Sequence, residues 1–265
     1  SGINHMAWLL EISRNGEDLY PIIRKRAQEG PIYAPTLALR ELHPEYADRI
    51  PSVAEQFTPD NHHDMVRFEI MKQFGYFVTE SSEHSSEYYP WFIKKDHPEL
   101  IDRFHIPLDE YPRRCRDQIA RWKQQAEHLV HNENLTHTRS SEYAAGIIEA
   151  LETGRTFGFA GNVLNTGLID NLPFDACVEV SCMVNEGHLS PCHMGPLPNQ
   201  LAALNRRQIE VHQLTVDAAL TRKKEYIYQA AMLDPHAGSE LTIDEIRSLV
   251  DDLIQAHGDW LPEYH

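Results

Sequence analysis

The hydrophobic positions change period several times along the chain, and each change marks a predicted element. Ile3 to Ile12 is apolar almost throughout and is bounded by Asn15-Gly16, which reads as a short buried strand followed by a turn. A buried strand beginning at residue 3 needs neighbours on both sides, so polypeptide upstream of it is expected. Between residues 30 and 63 five prolines (31, 35, 44, 51 and 59) interrupt any period, as in a long loop that serves a site or an interface. Val66, Ile70 and Phe74 then share a helical stripe over about 64 to 75, closed by Gly75, and Tyr76-Phe77-Val78-Thr79 reads as a short strand.

The clearest helix is predicted over about 108 to 131, where Cys115, Ile119, Trp122, Ala126 and Leu129 form one apolar stripe among charged faces. Tyr143, Ile147 and Leu151 mark a further helix closed by Gly154, and Val178, Val180, Cys182 and Val184 alternate as a half-buried strand. Leu204, Val211, Leu214 and Ala218 stripe a long helix, and Thr242-x-x-Glu245 is a capping box opening another that ends before Gly258. Together these predict an α+β fold over residues 1–265, with a mixed sheet and predominantly helical packing.

Composition narrows the function classes. With 42% hydrophobic residues in 265, the chain can build a core. Its formal charge of −16 repels phosphate backbones and anionic lipid surfaces, so neither nucleic acid nor membrane is expected as a partner. No apolar run approaches the roughly 20 residues of a spanning helix, and no signal peptide opens the chain, so a cytoplasmic location is expected. The four cysteines, Cys115, Cys177, Cys182 and Cys192, form no C-x-x-C pair and read as core thiols. No glycine-rich dinucleotide or triphosphate fingerprint is present.

Three segments could carry chemistry. In Asn4-His5 a neutral imidazole could ligate a metal and the neighbouring amide could hydrogen-bond a polar ligand; one histidine among 16 is more often an ordinary hydrogen-bonded residue. In Thr79 through Phe92, Glu80, Glu83, His84 and Glu87 lie between an apolar strand and an aromatic cluster, which suits a base in a partly dry pocket. A capped helix start at Ser81 or Ser82 explains the same residues equally well. In Gly161 to Gly167, Asn162 and Asn165 could meet sugar hydroxyls, although asparagine and glycine are also what a tight turn demands. His62-His63-Asp64 reads as a solvated helix start.

Five motifs taken in order carry a resemblance: Gly2-Ile3-Asn4-His5-Met6-Ala7-Trp8, Phe74 through His84, Pro107-Leu108-Asp109-Glu110-Tyr111-Pro112, Gly167 through Pro173, and His257-Gly258-Asp259-Trp260-Leu261-Pro262. Over residues 2 to 262 the chain resembles the carboxy-terminal part of the bacterial α-galactosidases (melibiases) of glycoside hydrolase family 4. That resemblance implies a substrate domain like the C-terminal domain of lactate and malate dehydrogenases, without its Rossmann partner. It implies an NAD-dependent route instead of the two-carboxylate scheme: oxidation at C3 of the sugar, proton loss at C2, elimination at C1, then addition of water and reduction. A divalent metal, manganese in most members, stabilises the enolate.

By the same resemblance His5 is a metal ligand, Asn4 lies where it can touch substrate, and Asn162 and Asn165 match a pocket-lining turn. The base falls within Phe77 to His84, with Glu80 as the first carboxylate there and His84 as a second catalytic candidate. The NAD-binding domain, a cysteine ligand and the general acid precede the stretch matching Gly2, so a missing N-terminal half and a homo-oligomer are the implied partners. Within the family α-glucosidase and α-galacturonidase are the alternative activities. A different class of reading makes the chain an assembly domain that only self-associates.

Overall fold

The apolar opening segment folds as two strands. In a computed structural model, which describes residues 1–29, 63–132, 134, 140 and 142–265, β1 (Gly2–Ile3) and β2 (Met6–Leu9) form an antiparallel hairpin with Ile3 opposite Met6. Asn4 and His5 are therefore its turn, and His5 adopts a left-handed φ of 60°, which histidine tolerates better than most side chains. At Gly2, with φ +155°, a Cβ would stand 2.5 Å from the Met6 carbonyl oxygen and 2.9 Å from the Ala7 Cα, so only glycine lets the strands pair here. A second hairpin, β3 (Ser13–Arg14) and β4 (Glu17–Asp18), turns at Asn15-Gly16 as predicted.

The first hairpin lies inside a sheet whose other strands come from later in the chain. β5 (Phe77–Val78) pairs with β2, placing Trp8 opposite Val78, and β7 (Cys177–Asn185) pairs with β1, placing Gly2 opposite Glu179. β6 (Phe157–Leu164) runs along one edge of β7, and β8 (His188–Pro191) shares the other edge with β1. All described pairings are antiparallel, and the sheet joins the opening strands to strands from the middle of the chain. Both neighbours of the opening strands are thus supplied internally, and Ile3, Met6, Ala7 and Trp8 are buried. The sheet neighbours expected of a strand at residue 3 are therefore found within the chain, so its burial is not what argues for polypeptide upstream.

Helices cover this sheet. α1 (Tyr20–Glu29), α2 (Met65–Phe74), α3 (Ser82–Tyr88), α4 (Glu99–Arg103), α5 (Glu110–His131) and α6 (Ala144–Thr153) precede α7 (Asn199–Thr221). After α7 come α8 (Lys224–Leu233), α9 (Ala237–Glu240) and α10 (Ile243–His257). The main core joins Ile3, Met6 and Trp8 to Val66, Ile70, Val78, Val178, Leu201 and Ile209. Inside it Asn205 of α7 accepts from the Trp8 indole N–H at 2.8 Å and donates to the Met6 carbonyl at 2.8 Å, which fixes the long helix to the hairpin. Gly75 and Gly154 close their helices in left-handed conformation, and the Thr242–Glu245 capping box is present.

Two expectations are corrected. The stripe of α5 buries nothing among the described residues: Ile119 is 61% and Trp122 60% exposed. Period shows that a helix has an apolar face, and tertiary structure alone decides whether anything covers it. Of the four thiols only Cys182 is buried, so the core reading holds for it and fails for the exposed Cys177. The proline-rich stretch lies outside the described residues except for its last residue, His63.

Candidate active site

Two local structures converge at one edge of this sheet. The hairpin turn holds Asn4 and His5 at the surface. On the neighbouring strand, Thr79 donates its backbone N–H to the Ala7 carbonyl at 2.9 Å and its hydroxyl to the same oxygen at 3.2 Å, so the chain leaves β5 alongside the turn. Ser81 then caps α3, accepting from the His84 backbone N–H at 3.3 Å. Ser82, Ser85 and Ser86 face inward, which leaves His84 and Glu87 on the outer face. The capped helix start and the chemical cluster, alternatives in the sequence, are one structure.

The side chains meet closely. His5 Nδ1 lies 2.6 Å from Glu80 Oε2, and Glu80 Oε1 accepts from the Ser81 backbone N–H at 2.7 Å. His84 Nδ1 lies 2.9 Å from Glu87 Oε2. The two imidazoles stand edge to face at 89°, their centroids 5.2 Å apart, and the Tyr88 ring is 6.1 Å from His5 and 6.4 Å from His84. One ligand atom from each of His5, Glu80 and His84 falls within 4.8 Å of the others, and this trio is the one such group among the described residues.

Electrostatics separates the two histidine–carboxylate pairs. Partial burial pushes the Glu80 carboxyl upward, but the Ser81 N–H, then His5 and His84, outweigh it and hold Glu80 below its ordinary value. His84 is pushed up, first by its hydrogen bond to Glu87 and further by the charges of Glu87, Glu80 and Glu83, against burial. Burial, then Glu87 and Glu80, raise the Tyr88 phenol. The His5 imidazole is a donor of the kind that suits a divalent first-row cation. With Glu80 on His5 Nδ1, the Nε2 atom remains for such an ion, the arrangement in which a carboxylate orients a metal-binding histidine.

The remaining predicted residues divide. Asn4 is exposed beside His5 in the turn. Asn162 lies within β6, not in a turn; it is exposed and opposite Glu179, which itself faces Gly2, so it shares a cross-strand row with the start of the hairpin. Asn165 is fully buried. Its Nδ2 donates to the carbonyls of Ile169, Leu172 and Pro173 at 2.9–3.1 Å, and its Oδ1 accepts from the N–H groups of Leu168 and Ile169 at 2.9 Å. With its amide saturated it has nothing to offer a sugar, and the substrate role expected for Asn165 is corrected to that of a loop organiser. His63 is exposed at the start of α2, and Asp64 pairs with Arg67 at 2.8 Å, a helix start as read. Asn205, missed in the sequence, carried one signal: a polar residue within the apolar stripe of α7.

Comparison with known proteins places this geometry. The family 4 glycosyl hydrolase C-terminal domain matches residues 1–237. The chain is 54% identical over 264 residues to an α-galactosidase of Bacillus subtilis (strain 168), covering 100% of this chain and 55% of that protein. It is 30% identical over 275 residues to an α-galactosidase of Rhizobium meliloti (strain 1021), covering 100% and 50%. A 6-phospho-α-glucosidase from gut microorganisms, solved in complex with NAD and Mn2+, superposes with a TM-score of 0.63 at 22% identity, covering 100% of this chain and 56% of that one. The chain thus spans about half the length of the relatives it matches.

Proposed function

The chain belongs to the family 4 glycosyl hydrolases, as their C-terminal domain, and from that premise we propose that it supplies the substrate- and metal-facing half of an NAD- and Mn2+-dependent α-galactosidase. The observation that carries this reading is the convergence of His5, Glu80 and His84 from a hairpin turn and a helix start 75 residues later (80 − 5). The two α-galactosidase relatives support the substrate, and the NAD and Mn2+ bound by the structural neighbour support the cofactors. The dinucleotide would sit on an N-terminal half outside this chain, since no phosphate-cradling glycine turn occurs here.

His5 would hold the metal through Nε2, kept in orientation by Glu80. When bound, a divalent cation acts as a Lewis acid on sugar oxygens. Asn4, exposed beside His5, donates or accepts a hydrogen bond at a sugar hydroxyl, and Asn162 is a more remote candidate for the same work. Of the two residues first considered for removing the C2 proton, His84 fits better than Glu80. Glu87 fixes the His84 Nδ1, which leaves Nε2 as acceptor, and its proton affinity is raised. Glu80 has both oxygens engaged and its proton affinity lowered, so it suits holding and charge stabilisation.

Exchange of the C2 proton with solvent deuterium, followed by NMR in the full-length enzyme, tests the assignment. His84→Gln is expected to slow exchange about 10²-fold or more, whereas Glu80→Gln should recover exchange at saturating Mn2+. The opposite pattern would return the base to Glu80. Turnover of nitrophenyl α-galactoside above that of the α-glucoside and α-galacturonide checks the substrate.

A further inference from the structure

Arg67, on α2, lies across the end of β5 with its side chain 21% exposed. Its Nε donates to the Val78 carbonyl at 3.2 Å and its Nη2 to the Thr79 carbonyl at 3.1 Å, while Nη1 meets Asp64 Oδ1 at 2.8 Å. The guanidinium carbon stands 4.2 Å from the Phe77 ring centroid, and the Arg67 backbone N–H reaches Ser82 Oγ at 3.4 Å. One residue therefore grips the chain on both sides of Glu80.

This grip shapes the backbone. Successive carbonyls of an extended strand point to opposite edges, so two neighbouring ones reach a single guanidinium only if the chain turns between them. It does so: β5 ends at Val78 and residues 79 and 80 form a bend. The bend carries Glu80 to the His5 imidazole, while the Thr79 N–H and hydroxyl hold the other side to Ala7. We propose that Arg67 is a positioning residue that sets the Glu80 carboxylate against His5 and so fixes the orientation of the metal-binding imidazole. The inference rests on the metal reading of His5 given above. A planar fork suits this position because its donors sit on three separate nitrogens that meet two carbonyls and Asp64 at once, whereas a lysine ammonium gathers its donors on one atom.

Arg24 provides an internal control. It donates from Nε to the Gly75 carbonyl at 2.6 Å and lies 4.7 Å from the ring centroids of both Tyr20 and Tyr76, so it staples the same segment before β5 without touching the bend. The experiment compares Arg67→Lys, Arg67→Met and Arg24→Lys by Mn2+ titration of the full-length enzyme, with free ion read by electron paramagnetic resonance, and by crystal structures of the same variants. Arg67→Lys keeps the cation beside Asp64 and the stem over Phe77, so it retains the fold.

Both Arg67 variants are expected to weaken Mn2+ about tenfold or more, as loss of an outer support does, and to open the His5–Glu80 contact beyond hydrogen-bonding distance. Arg24→Lys should leave both within error. An unchanged contact and affinity within twofold in the Arg67 variants would overturn the inference, making Arg67 a staple only. Should His5→Ala leave Mn2+ affinity intact, the metal reading fails instead, and the contact length in the Arg67 structures still decides whether Arg67 positions Glu80.

Discussion

Asn205→Leu should cost the chain about 2 kcal/mol although no surface group changes. The substitution keeps the branch point of the side chain but removes both its polar atoms from a site that is 0% exposed. The Trp8 indole N–H, bonded to Asn205 at 2.8 Å, is then left buried without a partner, while the Met6 carbonyl keeps its ladder bond from the Ile3 N–H and loses only the one from the Asn205 amide at 2.8 Å. The orphaned indole costs about 1–3 kcal/mol and the second lost bond about 0.5–1.5 kcal/mol, roughly 3 kcal/mol together at mid-range, and the apolar burial gained by leucine offsets about 1 kcal/mol of that. A net loss of about 2 kcal/mol corresponds to a fall in melting temperature of roughly 4–8 °C for a chain of this size.

Circular dichroism is the appropriate probe, because Trp8 itself reports on the substitution by fluorescence. Trp8→Phe removes the donor together with its need for an acceptor, so the Trp8→Phe/Asn205→Leu double variant should be less destabilised than the sum of the singles by about 1–2 kcal/mol. An Asn205→Leu variant melting within 2 °C of the parent, with strictly additive singles, would show that this network does not hold helix and hairpin together.

Four further outcomes are expected. His5→Ala in the full-length enzyme should abolish Mn2+-dependent activity with NAD affinity nearly unchanged; unaltered activity at limiting Mn2+ would remove His5 from the metal. Gly2→Ala should destabilise by about 1–3 kcal/mol in urea unfolding, because its Cβ would collide with the backbone at Met6 and Ala7. Glu240 is held down to about 2, first by Lys94 and then by the Lys95 N–H. Its folded value lies below the ordinary 4.5, so its contribution is complete above that pH and is lost as pH falls toward about 2; the stability gap between parent and Glu240→Gln should shrink over that window and stay constant above it. Trp122→Glu on α5, 60% exposed, should shift stability by no more than about 0.5 kcal/mol in the isolated chain, and a larger loss would mean that the seam is covered by another molecule.

Helices were readable in the sequence because their signals are local: the α2 stripe with Gly75, the Gly154 closure and the Thr242–Glu245 box all appear where the residues place them. The opening hairpin was not, since eight apolar or small residues around Asn4-His5 hide a two-residue turn inside what reads as one strand. Asn165 illustrates a different failure. Its residue type fits a sugar site and a buried loop equally, and only the five hydrogen bonds it makes distinguish them. Arg67 left no trace at all, because gripping carbonyls requires nothing of neighbouring side chains.

For the site itself, the residue types were readable and their partnership was not. His5 and Glu80 meet because β2 pairs with β5 in one register, Trp8 to Val78 and Leu9 to Phe77. Side chains alternate faces along a strand, so a slip of one residue would turn Val78 out of the core and carry Glu80 to the wrong side of the hairpin turn. Burial of Trp8 and Val78 in the core is what forbids that slip. The apolar register and the His5–Glu80 contact are therefore set by the same pairing, and a core substitution at Val78 that loosens it should weaken metal binding in proportion to the stability it removes.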